Sequence, residues 1–343
     1  MTQPGPPDDA APAAALEALE DLLLGGHPSL TRVEVCERAG VALEDASHLW
    51  HLLGFPHSDD DEVAFTETDV RSLQHTKALI DLGILDQERQ DGLVRTWGRS
   101  FARLAEWQVD LLTEVSADLG VDLAEGVTAL SEQVLPLVED LQSIVWKRHL
   151  MGAWSRVMVS ASGEAHRAVC FVDIVGYTSR SKTMTDRELV SWLEDFESAA
   201  LDTVLEHDGR IIKNIGDELL LVTDTAEQAA AIACKLTHRG EDPDDPFPSV
   251  RAGVAYGDVV LRLGDVFGPV VNIASRLTSV ARPGTVLIDE GTYLQLTGRE
   301  HHDDDDARDE DDHDAPYRLR RLRRLSVKGY SRLKAWSLRP RSS

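Results

Sequence analysis

Cysteine, long apolar runs and positive charge are all scarce in this sequence. The 343 residues include only three cysteines, Cys36, Cys170 and Cys234, scattered without metal-ligand spacing. This scarcity excludes a disulfide framework and a cysteine-bound metal site. No stretch approaches the ~20 apolar residues of a membrane-spanning helix, and the first residues lack the basic and apolar regions of a signal peptide. We therefore expect a soluble cytoplasmic protein without a membrane partner.

Acidic residues outnumber basic ones by 60 to 35, which gives a formal net charge of −25 at pH 7. Such a charge disfavours nucleic acid or an anionic membrane surface as the main partner, because both would repel it. With 42% hydrophobic residues the chain can bury an ample core, and its length leaves room for two domains.

Shifts in composition predict four segments. Residues 1–14 are rich in proline, alanine and aspartate, which predicts a disordered tail. Residues 15–150 carry apolar residues at spacings of three and four, which predicts a helical domain, and 151–166 are expected to form a linker. From 167 to 340 strand and helix patterns alternate, and an acidic run at 301–314 predicts a solvated loop. The predicted helices are 15–24, 71–84, 87–119, 124–145, 186–206, 225–239 and 271–280.

Residues 29–50 have the outline of a helix-turn-helix unit, with Gly40 in the turn. Such a unit could bind DNA, but its second helix carries Glu44, Asp45 and His48 and no basic residue. The acidic run at 59–62 would also repel phosphate. A DNA-binding regulator is therefore a disfavoured alternative.

Two aspartates stand where predicted strands end in tight turns. The apolar strand 168–172 leads into Asp173, and Gly176 then allows the backbone to close around a phosphate or a metal. Residues 210–223 predict a hairpin whose bend holds Gly216 and Asp217. Because Mg²⁺ and Mn²⁺ favour a few carboxylates together with substrate phosphates, two convergent aspartates indicate nucleotide chemistry.

A third segment, 264–277, places a turn before a helix on which Asn272 and Arg276 share a face. Together the three segments resemble the class III nucleotidyl cyclases, which make 3′,5′-cyclic nucleotides. The resemblance implies an α+β fold, a ferredoxin-like α/β sandwich preceded by an all-α regulatory domain, and a homodimer with sites at the interface. It implies that Asp173 and Asp217 bind two metal ions, Lys213 and Asp265 contact the base, Asn272 orients the ribose, Arg276 faces the α-phosphate and Lys328 binds the triphosphate.

The chemistry justifies these residue types. Cyclisation needs attack of the ribose 3′-hydroxyl on the α-phosphorus while pyrophosphate leaves, and two metal ions with a fixed guanidinium serve that step. A lysine donates to adenine N1 and an aspartate accepts from its 6-amino group, whereas guanine presents the reverse pattern. Lys213 and Asp265 therefore predict an adenylate cyclase that uses ATP with Mg²⁺ or Mn²⁺. The alternatives are a guanylate cyclase and a catalytically silent cyclase-fold sensor.

The helical domain resembles, in its general patterning, the regulatory domain of some actinobacterial class III cyclases, where it restrains catalysis. Histidine is concentrated in and beside it, at His27, His48, His51, His57, His75 and His149. Protonation between pH 5 and 8 would change the charge of this acidic element. Our hypothesis is that the domain holds the catalytic cores unproductive near neutral pH and releases them in mild acid.

Overall fold

The computed structural model describes residues 10–83, 87–120, 123–159, 166–299, 316–322, 325–327 and 330–341. The chain divides into two compact units, Met1–Ser160 and Ala161–Ser343. Lys328 and the acidic run 301–314, both singled out in the sequence, lie outside the described residues. Among the described residues no helix is long and apolar enough to cross a membrane.

The first unit is helical, with one short antiparallel ladder that the sequence did not predict. Its described elements are α1 (Ala10–Leu24), β1 (Leu30–Thr31), α2 (Arg32–Ala39), α3 (Leu43–Leu53), β2 (Val63–Phe65), α4 (Glu67–Asp81), α5 (Gln87–Leu119) and α6 (Leu123–Val159). Thr31 and Thr66 begin α2 and α4 with capping boxes, in which Glu34 and Asp69 complete the exchange of hydrogen bonds. These caps fix where α2 and α4 start.

A small core holds α2, α3, α4 and the start of α5 together. Val35, Leu49 and Leu73 are among its buried side chains. Gly98 on α5 lies directly against α3, because a Cβ there would meet the Leu53 carbonyl oxygen at 2.4 Å. Glycine at position 98 is what allows α3 and α5 to approach so closely.

Three helices differ in extent from the sequence prediction, and one of them, α4, spans Glu67–Asp81 rather than 71–84 because Thr66 caps it. Helix α6 continues to Val159, into the segment 151–166 that was predicted as a linker. Residues 146–159 keep good helix formers, and the lone Gly152 does not end the helix. Helix α1 begins at Ala10, inside the predicted tail, because its alanines favour helix and Pro12 falls in the first turn, where proline is tolerated.

The second unit is built on a seven-stranded sheet of order β10-β13-β9-β6-β3-β5-β4. Among the described residues, every pair of neighbouring strands in it is antiparallel except β6 with β9, which confirms the predicted mixed, largely antiparallel sheet and the α+β class. The strands are β3 (His166–Ile174), β4 (Arg210–Ile215), β5 (Glu218–Thr223), β6 (Val250–Asp258), β7 (Val260–Arg262), β8 (Asp265–Phe267), β9 (Val286–Asp289), β10 (Tyr317–Arg321), β11 (Leu325–Val327), β12 (Tyr330–Leu333) and β13 (Ala335–Pro340). The helices are α7 (Tyr177–Ser181), α8 (Asp186–Glu206), α9 (Ala226–Arg239), α10 (Pro269–Val280) and α11 (Glu290–Thr297).

Strand β3 lies inside this sheet, between β6 and β5, and contributes side chains to the cores on both of its faces. Cys170 and Val172 pack into the core beneath α8 and α9, whereas Val169 and Phe171 pack into the core beneath α10. Successive residues of a strand point to opposite faces, so this apolar strand is buried on both sides. Gly253 on β6 brings α10 onto the sheet, because a Cβ there would lie 2.4 Å from the Ala274 carbonyl oxygen.

Candidate active site

Asp173 lies in the ladder of β3, one residue before the strand ends, rather than in a turn beyond it. Its register partners are Glu218 on β5 and Arg251 on β6. The Arg251 guanidinium donates from Nε to Oδ2 of Asp173 at 2.7 Å, and its Nη2 lies 2.6 Å from the same oxygen. Three charged side chains therefore stand in one row across the sheet.

Asp217 occupies the turn between β4 and β5, after Gly216, whose φ of 66° is the left-handed conformation that glycine adopts readily. The Ile174 N–H donates to the Asp217 carbonyl oxygen at 3.1 Å, which ties this turn to the end of β3. Burial raises the pKa of Asp217, and the Asp173 charge raises it further. The two predicted metal ligands thus lie close enough to repel each other.

Glu218 is a third carboxylate beside the two aspartates. Burial, followed by the charges of Asp173 and Asp217, raises the pKa of Glu218 to about 7, and the Arg251 charge opposes that rise. No role for Glu218 or Arg251 was predicted from the sequence. Only the pairing of β3 with β5 and β6 identifies them, because it sets both opposite Asp173.

Lys213 on β4 and Asp265 on β8 form an ion pair, with 2.5 Å between Nζ and Oδ2. Burial alone would raise the pKa of Asp265, but hydrogen bonds from Lys213 and the Val266 N–H, with the lysine charge, hold it below its ordinary value. The Lys213 side chain is 43% exposed and that of Asp265 30%. The pair is therefore formed in advance and open to a ligand.

Asn272 and Arg276 lie one turn apart on α10, which begins with Pro269 after Gly268. The opposite side of the helix is buried through Ala274 and Leu277. Asn272 is exposed and Arg276 is half-buried. Within the described part of the chain neither side chain has a hydrogen-bond or ion-pair partner, which leaves both available to a ligand.

The last turn of α10 is connected to Asp173 through Arg251. Besides its bonds to the carboxylate, Arg251 donates from Nη1 to the Ser279 carbonyl oxygen at 3.3 Å. The Ser279 hydroxyl in turn donates to the Arg276 carbonyl oxygen at 2.7 Å. One arginine thus links an aspartate on the sheet to the helix that carries Asn272 and Arg276.

The donor set at Asp173 and Asp217 fits Mg²⁺ or Mn²⁺. Both ions prefer oxygen ligands and bind through one or two carboxylates with water and substrate phosphates. Across the described residues no group of three or more histidine, cysteine, aspartate or glutamate side chains could enclose a metal ion. Two carboxylates at an open edge are suited to an ion that a nucleotide helps to hold.

Comparison with known proteins gives a consistent result. Residues 159–339 match the family of adenylate and guanylate cyclase catalytic domains. An adenylate cyclase of Glutamicibacter nicotianae is 37% identical over 81% of this chain and 74% of its own length. One from Streptomyces coelicolor is 36% identical over 84% and 78%, respectively. A pH-sensitive adenylate cyclase of Mycobacterium tuberculosis is 31% identical over 74% of this chain and 67% of its own length.

Solved cyclase domains are also similar to part of the chain. The catalytic core of a rhodopsin-guanylyl cyclase with converted specificity aligns at 20% identity with a TM-score of 0.44, over 52% of this chain and 97% of that one. The adenylyl cyclase CyaB from P. aeruginosa aligns at 21% identity with a TM-score of 0.39, over 52% and 95%. From the matched domain and the relatives that extend over most of its length, the chain belongs to the class III nucleotidyl cyclases.

Proposed function

We propose that this chain is an adenylate cyclase that converts ATP to 3′,5′-cyclic AMP and pyrophosphate. The observation that carries the proposal is the ion pair between Lys213 and Asp265, preformed at 2.5 Å on strands beside the Asp217 turn. An ammonium group that donates to adenine N1 and a carboxylate that accepts from the 6-amino group select adenine. The relatives named as adenylate cyclases support the same choice.

Asp173 and Asp217 would hold two ions, Mg²⁺ or Mn²⁺. When bound, the ions would lower the pKa of the ribose 3′-hydroxyl and neutralise the phosphate oxygens. The 3′-hydroxyl gives its proton to solvent, and the 3′-oxygen forms a bond to the α-phosphorus as the bond from that phosphorus to the pyrophosphate oxygen breaks. Asn272 would orient the ribose, and Arg276 would stabilise the charge that develops at the α-phosphate. The proposed contact of Lys328 with the triphosphate rests on the sequence alone.

We infer that the enzyme works as a homodimer in which α10 of one protomer completes the site of the other. Asn272 and Arg276 have no partner in the described part of their own chain, as expected of residues that serve a second copy. Apolar side chains are exposed next to the base-binding pair, on β4 and on the hairpin of β7 and β8. They are Ile215, Val260, Leu261, Leu263 and Phe267. Several exposed apolar side chains on neighbouring strands are typical of a protein interface, and a two-fold dimer would bury them.

The first unit would control this activity in response to pH. His48 on α3 lies 3.0 Å from Asp91 on α5, and protonation of the imidazole would strengthen that contact. The contact lies where Gly98 lets α3 and α5 meet closely, so a changed charge there acts on two packed helices.

The acidic character of α3 also opposes binding of nucleic acid. We place the enzyme in the cytoplasm, where its substrate ATP is found.

Competition between nucleotides tests the proposed substrate. The full chain should form cyclic AMP from ATP with Mn²⁺ or Mg²⁺, and an equal concentration of GTP should inhibit this reaction only weakly. Efficient formation of cyclic GMP would instead identify a guanylate cyclase. Formation of neither product would identify a silent sensor that uses the fold for dimerisation.

A further inference from the structure

We propose that Arg251 is an internal counter-cation that competes with a divalent metal ion for Asp173, so that the nucleotide-free site binds free metal weakly. The inference rests on the proposed metal-binding role of Asp173. It concerns a residue that the reaction scheme above does not use. We therefore expect a metal ion to bind tightly only when a nucleotide is bound as well.

The contact between Arg251 and Asp173 occupies one of the two carboxylate oxygens that a metal ion could bind. Nε donates to Oδ2 at 2.7 Å and Nη2 lies 2.6 Å from the same oxygen, so the guanidinium covers Oδ2. Oδ1 has no hydrogen-bond partner among the described residues. A bidentate or bridging metal contact through both oxygens therefore requires the guanidinium to withdraw.

The strand register and a second hydrogen bond fix the position of Arg251. Register pairing of β3 with β6 sets it opposite Asp173, and its third nitrogen, Nη1, donates to the Ser279 carbonyl oxygen at 3.3 Å. The Asp173 side chain is 14% exposed and that of Arg251 33%. At such partial burial an ion pair is screened less than at the open surface, and the attraction is stronger.

The charges around this contact explain why Arg251 would weaken the binding of free metal. Asp173, Asp217 and Glu218 place three carboxyl groups together. Burial raises the pKa values of Asp217 and Glu218 and the Arg251 charge opposes that rise, so the positive charge acts on these two carboxyl groups as well as on Asp173, which it contacts. The same charge repels a divalent cation. A nucleoside triphosphate brings enough negative charge to hold both the metal ions and the guanidinium, so metal and nucleotide should bind together.

The experiment measures Mn²⁺ binding to the nucleotide-free full chain, with free Mn²⁺ quantified by electron paramagnetic resonance. Arg251→Met should bind Mn²⁺ about tenfold more tightly than wild type, because the competing charge is gone. Arg239→Met is the matched control. Arg239 donates to Asp245 at 2.8 and 3.2 Å and to the Ala199 carbonyl oxygen at 3.2 Å, and its removal should leave Mn²⁺ affinity unchanged.

Mn²⁺ affinity of Arg251→Met equal to or weaker than that of wild type would overturn the proposal, since a residue that only orients Asp173 would weaken binding when removed. Arg251→Lys keeps the charge and should stay within about threefold of wild type; tighter binding would also contradict the proposal. Thermal unfolding checks each variant, and Arg251→Gln replaces the methionine variant if that one does not fold. Asp173→Asn separates the two proposals. If Asp173→Asn leaves the binding of Mn²⁺ in the presence of a non-cyclisable ATP analogue unchanged, Asp173 is not a metal ligand. If Asp173→Asn weakens that binding but the Arg251 variants do not bind Mn²⁺ as predicted, Asp173 is a metal ligand and Arg251 is not its counter-cation.

Discussion

Lys213 and Asp265 are 52 residues apart in the sequence, yet their side chains meet at 2.5 Å between strands β4 and β8. Both strands stand at the edge of the second unit, and each side chain remains partly exposed. The pair satisfies its own charges while no base is present, and it can exchange them for the hydrogen bonds of an adenine edge. In the proposed site, base selection would therefore depend on these two short strands.

Lys213→Glu should lower kcat/KM for ATP by about a hundredfold, because it removes the donor to adenine N1 and sets two carboxylates against each other. Competition between ATP and GTP measures the change in preference. As a control, Lys235→Glu disrupts another ion pair between a lysine and a carboxylate in the same unit, that of Lys235 with Glu206, and should leave nucleotide preference as in wild type. An unchanged ATP preference in Lys213→Glu would remove Lys213 from the base site.

Mixed dimers test whether the site is shared between protomers. Asp173→Ala and Arg276→Ala chains should each be inactive alone. After mixing and reassociation, about a quarter of the wild-type rate should return, since half of the dimers are heterodimers in which one of two sites is free of both substitutions. Cyclic AMP formation measures the recovery, and size-exclusion chromatography confirms exchange. Verified heterodimers without turnover would place both residues in a site built within one chain.

The pH response tests the proposed role of the first unit. Full-length enzyme and residues 160–343 should differ in their profiles between about pH 5.5 and 8. The full chain should gain activity relative to the truncated one as the pH falls, because protonated histidines change the contacts among its helices. Gly98→Ala, which would force α3 away from α5, should flatten this difference. Coincident profiles after normalisation would show that the first unit does not sense pH.

Glu218 predicts how the stability of the metal-free protein changes with pH. Its pKa in the fold is about 7, above its ordinary value of 4.5, so its neutral form is favoured by folding. The free energy of unfolding should therefore fall as pH rises from about 4.5 to about 7 and level off above that, by roughly 1–2 kcal/mol in all after solvent screening is allowed for. Urea unfolding in EDTA measures it. Glu218→Gln should lose this dependence, whereas Glu227→Gln, on the exposed side of α9, should keep it; parallel curves for all three proteins would refute the assignment.

The local part of the site was predictable from the sequence because strand, turn and cap signals are short-range. The apolar run before Asp173 and the glycine before Asp217 predict a strand and a turn wherever they occur. Arg251 and Glu218 were missed because their importance depends on register across three strands, which no local pattern specifies. The length of α6 was missed because the prediction ended the helix at residue 145 and assigned 151–166 to a linker, whereas residues 146–159 consist mostly of helix formers.

Formation of cyclic AMP from ATP by the purified full chain is the most direct test of the proposed function. We predict turnover that depends on Mn²⁺ or Mg²⁺ and that falls by at least about a thousandfold in Asp173→Ala and in Asp217→Ala, each folded as judged by thermal unfolding, because each lacks an oxygen ligand of the metal ions. A wild-type chain without cyclase activity would contradict the account, and so would either alanine variant that retains a tenth of the wild-type rate.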